Sequence, residues 1–307
     1  MHTVLITGGT GMVGTSLTQL LLSKGYQVIV LTRQPRVSNV PNLTYAVWDI
    51  DKGYIDPSAI QNADTIVHLA GAGVADKRWS KKRKQEIVDS RVMSGELLVK
   101  YLTENSHQVK TVVAASAIGW YGPDTAESLM NGFTETDPVD GAFLGDTCKR
   151  WEDSVKPIET LGVRLVTLRI GIVLNKKGGA LAEFIKPAQF GMATIFGNGQ
   201  QMVSWIHHHD LCKMMIHGIE TASIKGVYNA VSPDPISNKD LIITITKKLR
   251  GFYLPIPVPA FVLKIMLGEM SIEVLKSTTM SVAKIQQAGF SFQFPRIEEA
   301  LNDLLKK

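Results

Sequence analysis

The densest chemical spacing in the chain lies near its start, in Thr7-Gly8-Gly9-Thr10-Gly11-Met12-Val13-Gly14, with glycines spaced Gly8-x-x-Gly11-x-x-Gly14. Before it, Thr3-Val4-Leu5-Ile6 is a short apolar run. After it, Met12 to Lys24 carries Val13, Leu17, Leu20 and Leu21 at helical spacing, until Gly25 closes the pattern. A strand that turns on glycines into a helix is an anion site, because the first N–H groups of the helix are free and its dipole is positive there. Gly8 permits the tight turn, Gly11 removes a Cβ that would block a pyrophosphate, and Gly14 lets the helix pack on the sheet. With Thr10, Met12 and Val13 completing the turn, the chemistry is dinucleotide binding.

The end of the next strand, Gln27 to Thr32, selects the dinucleotide. An acid there would accept from a ribose 2′-OH and favour NAD. The chain has Thr32-Arg33-Gln34 instead. A guanidinium pairs with a 2′-phosphate, so the expected cofactor is NADP(H); the plainer alternative for Arg33 is a surface arginine. Further along, His68-Leu69-Ala70-Gly71 ends another buried run, and its small residues let the backbone approach the cofactor.

The elements that must hold these residues alternate. Leu43 to Val47, Asp64 to Leu69, Lys110 to Ala115 and Arg164 to Arg169 read as strands, while Trp79 to Thr103 and Phe143 to Leu161 read as helices. Such alternation implies βαβ crossovers and a parallel sheet covered on both faces, an α/β Rossmann-type doubly wound fold. After Leu174 it breaks at Gly178-Gly179 and Gly197-Asn198-Gly199, resumes through Leu211 to Glu220 and Gly226 to Asn229, and gives way from Pro255 to a tail read as helical. The expected division is a cofactor domain of residues 1–174 with 205–232, and a smaller substrate-binding lobe of 175–204 with 233–307.

Composition narrows the class. Of 307 residues, 45% are hydrophobic and 20% charged, an ordinary globular balance. Two cysteines, Cys148 and Cys212, leave no disulfide framework and suit a reducing, cytoplasmic setting. The chain opens on a strand, so no signal peptide is expected. The longest apolar stretch, Pro255 to Leu267, carries prolines and Lys264 and is too short to span a bilayer, so no membrane association is expected. The net charge of +5 comes partly from Lys77, Arg78, Lys81, Lys82, Arg83 and Lys84. With only Trp79 among them, they read as a solvated helix face and not as a nucleic-acid patch. His207-His208-His209 cannot face one point in regular structure, so no metal site is expected; Asp210 is read as capping the next helix.

Taken together, Ser116-Ala117-Ile118-Gly119-Trp120-Tyr121-Gly122, Leu168-Arg169-Ile170-Gly171-Ile172-Val173-Leu174, Gln200 to Leu211, Asn229 to Pro233 and Gly268-Glu269-Met270 resemble the extended short-chain dehydrogenase/reductases. The closer similarity is to the atypical "epimerase family protein" subgroup of NAD-dependent epimerase/dehydratase ancestry. The resemblance implies a parallel sheet of about seven strands, cofactor contacts from Glu86 and Arg91 on the long helix, Ile172 near the nicotinamide end, and His207 facing the cleft as in the family's Ile-His-x-x-Asp segments.

The departure from that family is specific. Its members use a Tyr-x-x-x-Lys pair, in which lysine lowers the tyrosine pKa so that the phenol exchanges a proton near neutral pH. Counting back from Glu152, the tyrosine slot falls on Leu144 and the lysine slot on Cys148; none of the seven tyrosines has a lysine four residues on. Counting back from Tyr121, the usual serine slot is Ala117. The remaining catalytic candidates are Ser116, as a substrate-orienting hydroxyl, and Tyr121, as an acid. Two readings follow. One is an NADP(H)-dependent oxidoreductase or epimerase-like enzyme acting by hydride transfer on a small polar substrate such as a nucleotide sugar, with room for a homodimer. The other is a non-catalytic NADP(H)-binding redox sensor acting through a protein partner.

Overall fold

The computed structural model describes residues 2–306. The first strand, β1 (Thr3–Thr7), is buried along its whole length, as a strand covered on both faces must be. It leads into α1 (Met12–Ser23), β2 (Gln27–Thr32), β3 (Leu43–Asp49), the two-residue β4 (Tyr54–Ile55), α2 (Pro57–Gln61), β5 (Thr65–His68) and α3 (Lys81–Glu104). Then follow β6 (Thr111–Ala117), α4 (Ala126–Asn131), α5 (Phe143–Val155), β7 (Arg164–Ile170) and β8 (Ile172–Leu174). The later part holds α6 (Gly179–Ala188), β9 (Met192–Phe196), β10 (Met202–Val203), β11 (Trp205–His207), α7 (His208–Glu220) and β12 (Gly226–Ala230). It ends with β13 (Ile236–Ser237), α8 (Asn238–Arg250), β14 (Leu254–Val258), α9 (Ala260–Leu267), α10 (Ser271–Leu275), α11 (Ala283–Gln287) and α12 (Ile297–Leu304).

Eight strands form one sheet in the order β12-β7-β6-β5-β1-β2-β3-β4. Every pairing in it is parallel except that of β4 with β3. This is the doubly wound α/β architecture expected from the sequence, with β4 as an antiparallel addition at one edge. Side-chain alternation divides the core. Val4 and Ile6 of β1 face Leu17 and Leu21 of α1 and Leu211 and Met215 of α7, whereas Leu5 faces Ala59 of α2, Leu98 of α3 and Val155 of α5. Strand order runs one way from β1 and the other way from β5, so the switch point lies between them. Ligands of such sheets bind outside the carboxyl ends of the strands at that point.

A third core joins α6, α8 and α12 through Leu181, Ile185, Leu241, Ile245, Leu301 and Leu304, with Trp205 and Leu174 seated among them. Short pairs β8·β11, β9·β14 and β10·β13 run through this region outside the large sheet.

Several boundaries differ from the sequence reading. The long helix begins at Lys81 and not at Trp79, because Ser80 caps it: its Oγ accepts the Arg83 N–H at 3.1 Å. The helix from Phe143 stops being α-helical at Val155, where Pro157 removes an N–H, and continues as a 3-10 turn over Lys156–Leu161. The tail from Pro255 does not begin as a helix. It is β14, parallel to β9, with the Leu254 N–H bonded to Gly191 O at 2.8 Å. Residues 254, 256 and 258 therefore face β9, and Pro255 and Pro257 fall on the opposite edge, where no donor is needed.

Candidate functional site

The glycine turn sits at the carboxyl end of β1. Gly8 has φ +68°, and a Cβ there would lie 2.8 Å from Leu69 O. At Gly14 a Cβ would lie 2.4 Å from Gly8 O, so both glycines are demanded by the chain's own packing. Gly11 is different. It caps α1 in extended conformation, and the nearest atom to a Cβ there is Gly8 O at 3.3 Å, with no other neighbour within 4 Å. The protein's own packing constrains position 11 far less than 8 or 14, since only Gly8 O would have to give, by a few tenths of an ångström. The opening it leaves, against a helix start with no acidic residue in its first turn, fits a pyrophosphate. Thr10 and Gly11 are exposed, Val13 is half-buried, and Met12 reaches towards Gly178.

The facing wall is the Leu69-Ala70-Gly71 turn after β5, held by a buried clamp. Thr7 Oγ1 accepts the N–H groups of Leu69 and Ala70, both at 3.1 Å. Its single proton therefore goes to His68 Nδ1, 2.8 Å away, which leaves the imidazole proton on Nε2, facing Ser94 Oγ at 3.4 Å. Complete burial pushes the His68 pKa down to about 4, so the ring is neutral. Sequence reasoning named the small residues of this turn but missed His68 as its clamp. The signal was a threonine ending one strand and a histidine ending its neighbour.

At the end of β2, Thr32 is buried and its Oγ1 donates to Gln34 O at 2.7 Å, while Arg33 beside it is exposed. On α3, Glu86 is exposed and paired with Arg83 at 2.8 Å. Arg91 is buried, its Nη1 donating to Ala72 O and Ile87 O. Ile172 is half-buried in β8, its N–H bonded to Ser204 O.

At the carboxyl end of β6 the three positions that the resemblance matches to the proton relay, Ala117, Leu144 and Cys148, meet in space. A Cβ on Gly119 would lie 2.9 Å from Leu144 Cβ and 3.3 Å from Cys148 Sγ, and Cys148 Sγ lies 3.6 Å from Ala117 O. Burial, reinforced by Glu152, pushes the Cys148 thiol up to about 12. The side chains that meet there, those of an alanine, a leucine and a neutral thiol, offer no group that exchanges a proton near neutral pH.

Ser116 and Tyr121 belong to an adjoining buried network. Ser116 Oγ donates to Glu152 Oε1 at 2.6 Å, and Arg169 grips the same carboxylate through Nε at 2.9 Å and Nη2 at 3.1 Å. Arg169 Nη1 donates to Tyr121 Oη at 3.0 Å, and Tyr121 donates to Asn229 Oδ1 at 2.7 Å. The guanidinium lies 3.6 Å over the Trp120 ring. The Ser116 and Tyr121 side chains are buried, and burial pushes the tyrosine up to about 12 against the opposing pull of Arg169.

The histidine run is arranged differently from the sequence expectation. His207, not Asp210, caps α7, its Nδ1 accepting the His209 N–H at 3.1 Å. Its ring packs on Phe294 at 4.0 Å and is buried, not open to a cleft. Because the helix already starts at His208, Asp210 falls inside its first turn. Its buried carboxylate instead accepts the N–H groups of Gln293 and Phe294. No helix among the described residues is long and apolar enough to cross a membrane.

A parallel doubly wound sheet with a glycine turn at its switch point defines a nucleotide-binding Rossmann protein. The chain belongs to the NAD dependent epimerase/dehydratase family, whose pattern matches residues 4–230; residues 258–304 match a domain of unknown function, DUF1731. It is 35% identical over 304 residues to the epimerase family protein YfhF of Bacillus subtilis, covering 98% of this chain and 97% of that one. Among solved structures it is similar to the human epimerase family protein SDR39U1 (isoform 2) with NADPH, at 28% identity and a TM-score of 0.86, covering 98% of each chain. A UDP-N-acetylglucosamine 4-epimerase from Bacillus cereus shares the fold, at 19% identity and a TM-score of 0.77 over 99% of this chain and 98% of that one.

Proposed function

We propose that this protein is an NADP(H)-binding oxidoreductase or epimerase-like enzyme that acts on a small polar substrate, with a nucleotide sugar as the first candidate. The observation that carries the reading is the opening at Gly11 against the uncapped start of α1, with the exposed Arg33 beyond β2 where an NAD site would place an acid. The human relative solved with NADPH supports it. When bound, the cofactor supplies or accepts a hydride at its nicotinamide ring. The chain's residues do the rest. The first turn of α1 holds the pyrophosphate, Arg33 pairs with the 2′-phosphate, and the Thr7–His68 clamp keeps the facing turn in place. Ala117, Leu144 and Cys148 exclude water at the reacting end and exchange no proton. Ser116, the hydroxyl next to that end, is oriented by Glu152.

The emptied proton relay favours a second reading, in which the protein binds NADP(H) and signals its redox state to a partner without turnover. Incubation of the NADPH-loaded protein with sugar nucleotides and simple carbonyl compounds separates the two. Saturable oxidation of NADPH supports the enzyme; binding with no oxidation across the panel supports the sensor.

A further inference from the structure

We infer that α9 and the cationic start of α3 together form a docking face for the anionic surface of a lipid bilayer. The inference is independent of the cofactor site and goes beyond the proposed enzyme. The stretch Pro255 to Leu267 is too short to span a membrane, which is why the sequence carries no expectation of membrane association; lying on a membrane surface needs no span.

The first observation is an apolar ridge. Lys264 is the only polar residue of α9, and Leu263 is its only buried one. Phe261, Ile265 and Met266 are 64, 69 and 66% exposed, and Ile272 on the adjoining α10 is 56% exposed. A helix that is apolar all round is normally covered on every side. Here the chain buries one side chain and leaves Phe261, Ile265 and Met266 in water, and a contiguous apolar patch of this kind marks an interaction site. Side chains that stand out from a helix make a ridge, not the groove in which a peptide would lie.

The second observation is charge. Gly268, which ends α9, lies so close to Arg78 that a Cβ on it would be 2.6 Å from Nε, and the next residue, Glu269, pairs with Lys84 of α3. The ridge therefore abuts the exposed cluster Lys77, Arg78, Lys81 and Lys82. The carboxylates at hand are taken, Asp76 and Glu86 by Arg83, Glu269 by Lys84 and Glu273 by Lys276. Among the described residues none pairs with Lys77, Arg78, Lys81, Lys82 or Lys264. A second copy of the chain, set on the same ridge by a two-fold axis, would bring this cluster beside its own like-signed copy. An anionic bilayer answers both observations at once. Its headgroups neutralise the cations, and the boundary of its acyl layer receives the ridge. Lys264, within the ridge, keeps its ammonium among the headgroups while its apolar stem lies deeper.

The test is co-sedimentation of the full chain with vesicles, either of phosphatidylcholine alone or of phosphatidylcholine mixed with phosphatidylglycerol, at low and at high salt. Wild type is expected to bind the anionic vesicles at low salt at least about tenfold more tightly than the neutral ones, and to lose most of that margin at high salt. Ile265→Asp puts a carboxylate on the ridge and weakens binding to anionic vesicles by about tenfold or more. The triple variant Lys77→Gln, Lys81→Gln, Lys82→Gln also weakens it and removes most of the salt dependence. All four positions are exposed, so the variants fold as wild type does, which melting curves check. If Ile265→Asp melts early, Phe261→Ser is read in its place. No binding to anionic vesicles, equal binding to both kinds, or binding untouched by the ridge variant overturns the inference. A wild-type protein that ignores vesicles and dimerises in analytical ultracentrifugation, with Ile265→Asp monomeric, also overturns it and assigns the face to a second copy.

Discussion

Replacing Glu152 with glutamine should destabilise the protein through the buried network behind β6. The carboxylate accepts from Ser116 Oγ at 2.6 Å and from Arg169 Nε and Nη2 at 2.9 and 3.1 Å. Glutamine keeps one oxygen but turns an amide N–H₂ towards a guanidinium donor and leaves Arg169, 3% exposed, without its counter-charge. Breaking a buried pair from one side costs about 3–5 kcal/mol. Glu152 is 11% exposed, and Arg169 keeps its contacts to Tyr121 and Glu135 O, so the lower end, about 3 kcal/mol, is expected. At roughly 2–4 °C per kcal/mol for a chain of this order of size, the melting temperature falls by about 6–12 °C. Ser116→Ala removes one charge-assisted bond and leaves the ion pair intact, a loss of about 1.5 kcal/mol. Because both changes act on one carboxylate, the double variant should lose less than the sum. Thermal and urea unfolding of the four proteins gives the cycle. A Glu152→Gln protein that melts within a degree of wild type would refute the reasoning.

The two glycines of the turn should separate folding from binding. Gly11→Val should fold normally and lose dinucleotide binding, since its side chain enters the opening left for the pyrophosphate; retained enhancement of NADPH fluorescence would remove the site from this turn. Gly14→Ala should instead destabilise the fold itself, its Cβ lying 2.4 Å from Gly8 O, as read by a lowered melting temperature without ligand. Stability should also fall in acid through His68 and His207, both lowered by burial from 6.5 to about 4. A folded-state value below the unfolded one means the stabilisation is complete above pH 6.5 and is lost as pH falls towards 4. By pH 5 each histidine costs about 2 kcal/mol, so a urea midpoint unchanged between pH 7.5 and pH 5 would contradict the buried neutral state of both.

How far the sequence could be read follows from where each feature stores its information. The glycine turn and the strands around it were legible because their signals are local: apolar runs with a period, bounded by glycine. The placing of Leu144 and Cys148 on one helix was legible for the same reason, as a count back from Glu152. The buried network was not. Ser116 and Tyr121 share one stretch, but Glu152, Arg169 and Asn229 come from three others, and only the closing of the sheet brings the four together. Asp210 was misread as a cap because its partners, Gln293 and Phe294, lie more than 80 residues on. Strand β14 was misread because proline at 255 and 257 signals a break; its edge position, which makes both harmless, is a tertiary fact.

The central claim, that the crevice beside Gly11 is an NADP(H) site selected by Arg33, is tested most directly by titrating the purified protein with NADPH and with NADH, before and after Arg33→Ala. NADPH should bind at least about tenfold more tightly than NADH, and the substitution should remove about that factor from NADPH while leaving NADH nearly unchanged, the size of one charge-assisted contact to a 2′-phosphate. Equal affinity for the two cofactors in the wild-type protein, or an Arg33→Ala variant that keeps the preference, would contradict it.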